Sequence, residues 1–281
     1  MIIWLASYPK SGNTWLRSLL ATYFFYQGGS FNFEILKKID QFPSYNNFKD
    51  YIAFFSNPTD TAKYWIKEQE KINKDKKIRF FKTHNALCKI NGNSFTNNEN
   101  TLGAIYIIRD PRNVITSLAN HYQINLDEAF NFMKNKNKGI SQKKGESYVG
   151  FVALLSWVLH VKSWTENILY PTLTIRYEDL QNNTFNELKK IIEFINSITN
   201  SKKIFNIEKA KNSINLCSFD NLKGLENKIG FDEAVTKKNS EEKIKFFNLG
   251  KNNDYKKLLN FDLIQQMNTE FKNELKKYKY D

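Results

Sequence analysis

The segment Ser7-Tyr8-Pro9-Lys10-Ser11-Gly12-Asn13-Thr14-Trp15 constrains this chain more than any other, because of what flanks it. Before it runs Ile2-Ile3-Trp4-Leu5-Ala6, and after it apolar residues recur three and four apart at Leu16, Leu19, Leu20 and Tyr23. A short apolar run ended by Pro and Gly and followed by that spacing reads as a buried strand, a tight turn and a helix. The N-terminus of such a helix offers unpaired backbone N–H groups to an anion. Lys10, Ser11 and Thr14 add an ammonium and two hydroxyls, while Gly12 lets the backbone approach a ligand closely. The plain alternative is a solvated βα connection, and the strand before and helix after favour the anion cradle. The loop is not a Walker A motif, which needs Lys after the second of two glycines, whereas Lys10 precedes the only Gly here.

The same strand-then-helix rhythm returns further along. Ile78-Arg79-Phe80-Phe81-Lys82-Thr83 is short and β-prone and stops at His84, and Ala104-Ile105-Tyr106-Ile107-Ile108 runs into Arg109-Asp110-Pro111 and a helical pattern through Val114, Leu118 and Tyr122. Pro111 suits the first helical position, with Asp110 as its cap. Leu173-Thr174-Ile175-Arg176-Tyr177 reads as a fourth strand, preceded by a helix through Phe151, Leu155, Val158 and Trp164. Thr184-Phe185-Asn186-Glu187 matches a capping box opening a helix to about Ile195. The expectation is an α/β fold, P-loop-like and three-layered, with a central, mostly parallel sheet flanked by helices. No Gly/Ser-rich or Pro-rich linker divides it, so residues 1–281 read as a single domain, with the Lys/Asn-rich stretches 134–144 and 237–245 as loops or lid segments. Ligands in such sheets bind at the carboxyl ends of the strands, where the polar groups just named fall.

Composition narrows the choice of partners. Hydrophobic content of 41% and aromatic content of 15% support a globular core rather than disorder. No apolar run reaches the roughly 18 residues of a membrane span, and the N-terminus lacks a basic region and cleavage site, so a cytoplasmic location is expected. Two cysteines and three isolated histidines predict neither a disulfide nor a metal site. The formal charge of +13 suggests an anionic partner, which by charge alone is a polyanionic cofactor, nucleic acid or a membrane surface.

The string Y-P-K-S-G-N-T-W closely resembles the 5'-phosphosulfate loop of the sulfotransferases that use 3'-phosphoadenosine-5'-phosphosulfate (PAPS), usually Y-P-K-S-G-T-T-W, with Asn13 the one departure. The family carries a K-T-H run next, matched by Lys82-Thr83-His84. The resemblance implies His84 as general base, Lys82 as the cation on the sulfonyl oxygens, and Lys10 at the leaving phosphate. By itself a lone histidine is more often structural; His121 and His160, inside helical patterns, are read that way. Imidazole is nevertheless the side chain whose pKa suits taking a proton from an alcohol near neutral pH.

Arg109 and Ser117, eight residues apart, are similar to the family's 3'-phosphate pair; the plain alternative is Arg109 paired with Asp110 or Glu178. Arg176-Tyr177-Glu178-Asp179-Leu180 resembles a segment whose Tyr lies near the nucleotide, and Cys217-Ser218-Phe219 one whose Phe stacks on adenine opposite Trp15. Cys217 stands where a Thr is usual and would remove one phosphate hydroxyl. The C-terminal R-K-G-x-x-G-D-W-K segment is represented by Asn248-Leu249-Gly250-Lys251-Asn252-Asn253-Asp254-Tyr255-Lys256. Its Arg-Lys pair is missing, and Lys251 would grip the 3'-phosphate without bidentate geometry.

The resemblance therefore implies a sulfotransferase that uses PAPS, releases the desulfated product PAP, needs no metal, and acts on a hydroxyl or amine of a small-molecule acceptor, with nucleic acid not a partner. It places the cofactor on Lys10, Ser11, Gly12, Asn13, Thr14, Trp15, Arg109, Ser117, Tyr177, Cys217, Phe219, Asn248, Gly250 and Lys251. Rival readings are a P-loop kinase, with Asp110 as metal ligand, and a basic nucleic-acid-binding protein. Acceptor choice is assigned to segments 31–62, 123–147 and 223–243, whose aromatics, among them Phe31, Phe33, Phe42, Tyr45, Phe54 and Phe55, either line a pocket or cover the sheet. Oligomeric state, monomer or homodimer, stays open.

Overall fold

Strand β1 (Ile2–Ala6) is buried along its whole length, and its side chains divide by parity between two cores. Ile2, Trp4 and Ala6 face one, Ile3 and Leu5 the other, as a side-chain period of two requires. The computed structural model describes residues 1–51, 55–238 and 240–280, so Phe54 lies outside the described residues. After β1 come α1 (Asn13–Phe25), β2 (Asp40–Gln41), β3 (Arg79–Thr83), β4 (Thr101–Ile108) and α2 (Pro111–Tyr122). The chain continues through β5 (Gly139–Lys144), β6 (Ser147–Ala153), α3 (Trp157–Thr165), β7 (Thr172–Arg176), α4 (Thr184–Ile198), α5 (Ile207–Leu216) and α6 (Phe219–Ile229).

The central sheet has the order β2-β3-β1-β4-β7, and each of its pairings is parallel. A parallel sheet must be covered on both faces. Leu16, Leu19, Leu20 and Tyr23 of α1 cover the face of Ile3, Leu5, Ile105 and Ile175. Val114 and Leu118 of α2 and Trp157, Val161 and Trp164 of α3 cover the face of Trp4, Tyr106 and Ile108. Ala6 pairs with Thr83 of β3 on one side and Tyr106 of β4 on the other, so the strands leave the sheet at one edge.

Two expectations need correction. Phe151 belongs to strand β6, paired with β5, and Leu155 sits in a left-handed turn at φ 59, so the helix expected through both begins only at Trp157. Apolar spacing here ran together the Tyr-Val-Phe-Val residues of a strand and the face of a helix. The Lys/Asn-rich stretch is likewise not wholly loop: Gly139–Lys144 forms the exposed strand of that hairpin, where lysines discourage pairing with another chain. Among the described residues no helix is long and apolar enough to cross a membrane.

Trp4 is the central buttress of the first core. Its ring lies 5.7 Å from Phe42, 6.1 Å from Phe81 and 5.1 Å from Phe95, and its indole N–H donates to Thr101 Oγ1 at 2.8 Å. Trp4→Ala is expected to lower the unfolding free energy by about 3–5 kcal/mol. Urea denaturation checks this, and a loss below about 1 kcal/mol, the scale of a volume-conserving swap, contradicts it.

Candidate functional site

Beyond Ala6 the backbone turns through two left-handed residues, Lys10 at φ 66 and Gly12 at φ 100, before α1 begins at Asn13. The free N–H groups of the first helical turn thus face the strand ends. Glycine is required at 12 on a second ground, since a Cβ there would lie 2.5 Å from the Tyr177 ring. A left-handed lysine is strained and needs outside support. Arg109 supplies it, donating from Nη1 to the Lys10 carbonyl at 3.2 Å, while Lys10 Nζ lies 3.8 Å from the centroid of Phe246. Asn13 ties the loop to β1: its Nδ2 donates to the Leu5 carbonyl at 2.9 Å and Ser7 Oγ at 3.2 Å. Ser11 Oγ is buried without a hydrogen-bond partner.

A cleft of about 720 Å³ opens at this edge of the sheet, within the size range of small-molecule and cofactor sites. Lys10, Gly12, Asn13, Thr14 and Trp15 line it, as do Lys82 and His84 from the end of β3. Arg109, Ser117 and Tyr177 line a further part, with Phe219, Asn248, Gly250 and Lys251 from the C-terminal third. Gly250, at φ 55, packs so close to Phe219 that a Cβ would lie 2.6 Å from its ring. Of the aromatics that either line an acceptor pocket or cover the sheet, Phe42 and Phe55 are buried core, and Phe33 stacks on Phe247 at 6.1 Å.

Cys217 is the clear misplacement. As C-cap of α5 its thiol turns into the second core, 3.3 Å from Thr22 Oγ1, and burial pushes it up to about 12. Only its backbone serves the site, accepting from Trp15 Nε1 at 3.0 Å. His121 departs from its structural reading in the other direction: it lines the cleft, and burial, then Lys10 and Lys82, lower it to about 4.

His84 has a preferred tautomer. Its Nδ1 lies 2.8 Å from the Ser7 carbonyl and 3.2 Å from Ser7 Oγ; the shorter contact is to a group that can only accept, which favours the tautomer with the proton on Nδ1 and the lone pair on Nε2. Burial, followed by the charge on Lys82, lowers its pKa to about 3, and the ring is neutral at neutral pH. Behind it, His160 holds the His84 carbonyl at 3.1 Å through Nε2 and Tyr106 Oη at 2.9 Å through Nδ1.

Arg109 lies 4.2 Å over the Tyr177 ring, and its buried Nε has no hydrogen-bond partner. The carboxylates considered for it are engaged elsewhere. Asp110 pairs with Arg112 at 2.8 Å and caps α2, and Glu178 Oε1 accepts from the Asp110 N–H at 3.0 Å. The Asp110 carboxylate, the kinase reading's metal ligand, is thus engaged by Arg112 and the start of α2. Ser117 Oγ lies 3.1 Å from Asn253 Nδ2, which pins the C-terminal segment to α2.

Sequence reasoning missed Glu233. Its Oε2 accepts from Lys82 Nζ at 2.8 Å and Thr14 Oγ1 at 3.2 Å, and its Oε1 pairs with Arg17. Burial would raise this carboxyl, but Lys82 and Arg17 outweigh it and hold it at about 2. Arg17 is buried and also donates to the carbonyls of Ile39 and Leu36, at 2.6 and 2.8 Å. A buried arginine between Leu16 and Leu19 signals a need for a counter-ion, and nothing in the spacing says which carboxylate supplies it.

These features define an α/β protein with a lysine- and glycine-containing loop and a histidine at adjacent strand ends. The chain belongs to the sulfotransferase domain family, which matches residues 2–279. It is 29% identical to rat sulfotransferase 1A1 over 194 residues, 68% of this chain and 58% of that protein's length. With flavonol 3-sulfotransferase of Flaveria bidentis it shares 25% identity over 279 residues, 94% of this chain and 78% of that protein. A solved structure of retinol dehydratase in complex with androsterone and inactive cofactor PAP has the same fold, with TM-score 0.60 at 17% identity over 98% of this chain and 80% of that one. Mouse sulfotransferase SULT7A1 complexed with PAP gives 0.54 at 18% identity, covering 98% and 84%.

Gly12→Ala tests the loop geometry. The left-handed φ and the Tyr177 contact together predict a stability loss of roughly 1–3 kcal/mol. Chemical denaturation reads it, and an unchanged midpoint contradicts the geometry.

Proposed function

We propose that this protein transfers a sulfonyl group from PAPS to a hydroxyl or amine of a small-molecule acceptor, with His84 as general base. The observation that carries the reading is His84, whose Nδ1 is held by the Ser7 carbonyl and whose ring lines a cleft shared with the anion loop and Lys82. PAPS would supply an activated sulfonyl group on a nucleotide leaving group. The chain's own residues suit such a polyanion. Ser11 Oγ and Arg109 Nε are buried without partners, and Lys10, Lys82 and Arg109 place three cations on one cleft.

In this reading the loop from Lys10 to Thr14 holds the 5' end, and Arg109 with Ser117 the 3'-phosphate, where guanidinium geometry suits a phosphate. Lys251 is the cation of the C-terminal segment that lines the cleft, and Trp15 and Phe219 offer aromatic faces to the base. Lys10 and Lys82 stabilise negative charge that develops during transfer, in a site partly shielded from water. His84 Nε2 accepts the proton of the attacking group while Nδ1–H stays anchored on Ser7. In this reading the acceptor takes the part of the cleft lined by Ile140, Phe151, Gln41 and Gln142, residues that offer apolar surface and neutral polar groups. A small uncharged molecule fits that lining, and flavonol 3-sulfotransferase is among the relatives.

The test is transfer from radiolabelled PAPS to a panel of phenols, aliphatic alcohols and amines. His84→Ala is expected to lose two to four decades of kcat, the usual scale of acid–base catalysis, while PAP binding measured by calorimetry persists. Full turnover in that variant removes the assignment.

The pH profile is a separate check. A lowered pKa keeps the reactive neutral imidazole as pH falls, so the acid limb of kcat/KM should lie below the 6.5 of an ordinary histidine. Lys10, lowered to about 8 by burial and then by Lys82, loses its charge as pH rises through that value, so kcat/KM for PAPS should decline there. An acid limb at or above 6.5 contradicts the His84 environment.

A further inference from the structure

Glu233 has no place in the mechanism above, yet its carboxylate is bonded to two of the groups that mechanism assigns to the cofactor. It lies between α6 and the isolated bridge of Thr236 with Lys243, and its side chain is 26% exposed, at the cleft. Oε2 sits between the Thr14 hydroxyl at 3.2 Å and the Lys82 ammonium at 2.8 Å. A carboxylate oxygen draws on the same charge-assisted donors as an oxygen of a phosphate or a sulfonate. The Thr14 hydroxyl has a single proton to donate and cannot serve both, and two anions drawn to the one Lys82 ammonium repel each other. Arg17, the third partner, is not among the residues lining the cleft, and its two backbone carbonyl partners hold it in place. A rotation about the Oε1–Arg17 contact therefore frees Thr14 and Lys82 without leaving Arg17 unpaired.

Resting on the PAPS reading, we propose that Glu233 sets the affinity of the anion site: in the ligand-free protein its carboxylate stands where a cofactor oxygen binds, and it yields Thr14 and Lys82 when the nucleotide enters. The cofactor thus displaces an internal anion instead of meeting a bare Lys82 ammonium. The opposite role, a carboxylate that stays and positions Lys82 for the ligand, makes the opposite prediction for the same variant.

Calorimetric titration of PAP into the wild-type protein and Glu233→Gln separates the two, with circular dichroism confirming that the variant is folded. Removing the charge while keeping the shape is expected to tighten PAP binding about tenfold at low salt. Unchanged or weaker binding overturns the inference and leaves the functional reading intact. Absence of PAP binding to the wild type overturns that reading, and this inference with it. Should the variant fail to fold, a crystal structure of the wild-type complex with PAP decides: the Glu233 carboxylate is expected beyond hydrogen-bond distance of Thr14 Oγ1, and its retention there overturns the proposal.

Discussion

Everything in the site depends on β1 being hydrogen-bonded on both sides, to β3 and to β4, in parallel. Parallel pairing makes neighbouring strands end in the same direction, and the register sets Ala6 level with Thr83 and Tyr106. Ser7 and His84 therefore emerge side by side, although 77 residues separate them. The Ser7 carbonyl then accepts a hydrogen bond from His84 Nδ1–H, and that backbone acceptor favours Nε2 as the basic imidazole nitrogen. The sheet supplies the position, and the hydrogen bond supplies the chemistry.

Charge is the second constraint. Lys10, Arg17, Lys82 and Arg109 gather around one edge of the sheet, and buried cations without counter-charges are costly. The structure meets that cost in different ways. Arg109 lies on the Tyr177 face and donates to a backbone carbonyl, Lys10 sits over Phe246, and Arg17 and Lys82 share Glu233. The single Glu233 carboxylate bridges the N-terminal helix, the end of β3 and the C-terminal third of the chain.

Some misreadings came from periodicity that does not respect element boundaries. Phe151, Leu155 and Val158 follow helical spacing, but Phe151 is in a strand, Leu155 in a left-handed turn and Val158 in α3. Cys217 was placed by motif order, which locates a backbone segment and not the direction of a side chain; its thiol faces the core. His121 shares its helix with buried Leu118, yet it falls at the last turn, where α2 reaches the cleft.

The sequence by itself determined β1, β3, β4 and β7, the helix after the loop and the parallel α/β class, because apolar period and turn chemistry are local properties read within a few residues, whereas the two-residue β2 and the β5–β6 hairpin left no such signal. It also marked the loop from Lys10 to Trp15, since strand, turn and helix are contiguous there. Only the tertiary structure decided which nitrogen of His84 is basic, what counters Arg17 and Lys82, and where Cys217 and His121 point. Each of those depends on a partner brought near by the sheet register or by core packing, such as Ser7 for His84 and Glu233 for Lys82. Contacts across 77 and 151 positions leave no periodic trace in the chain.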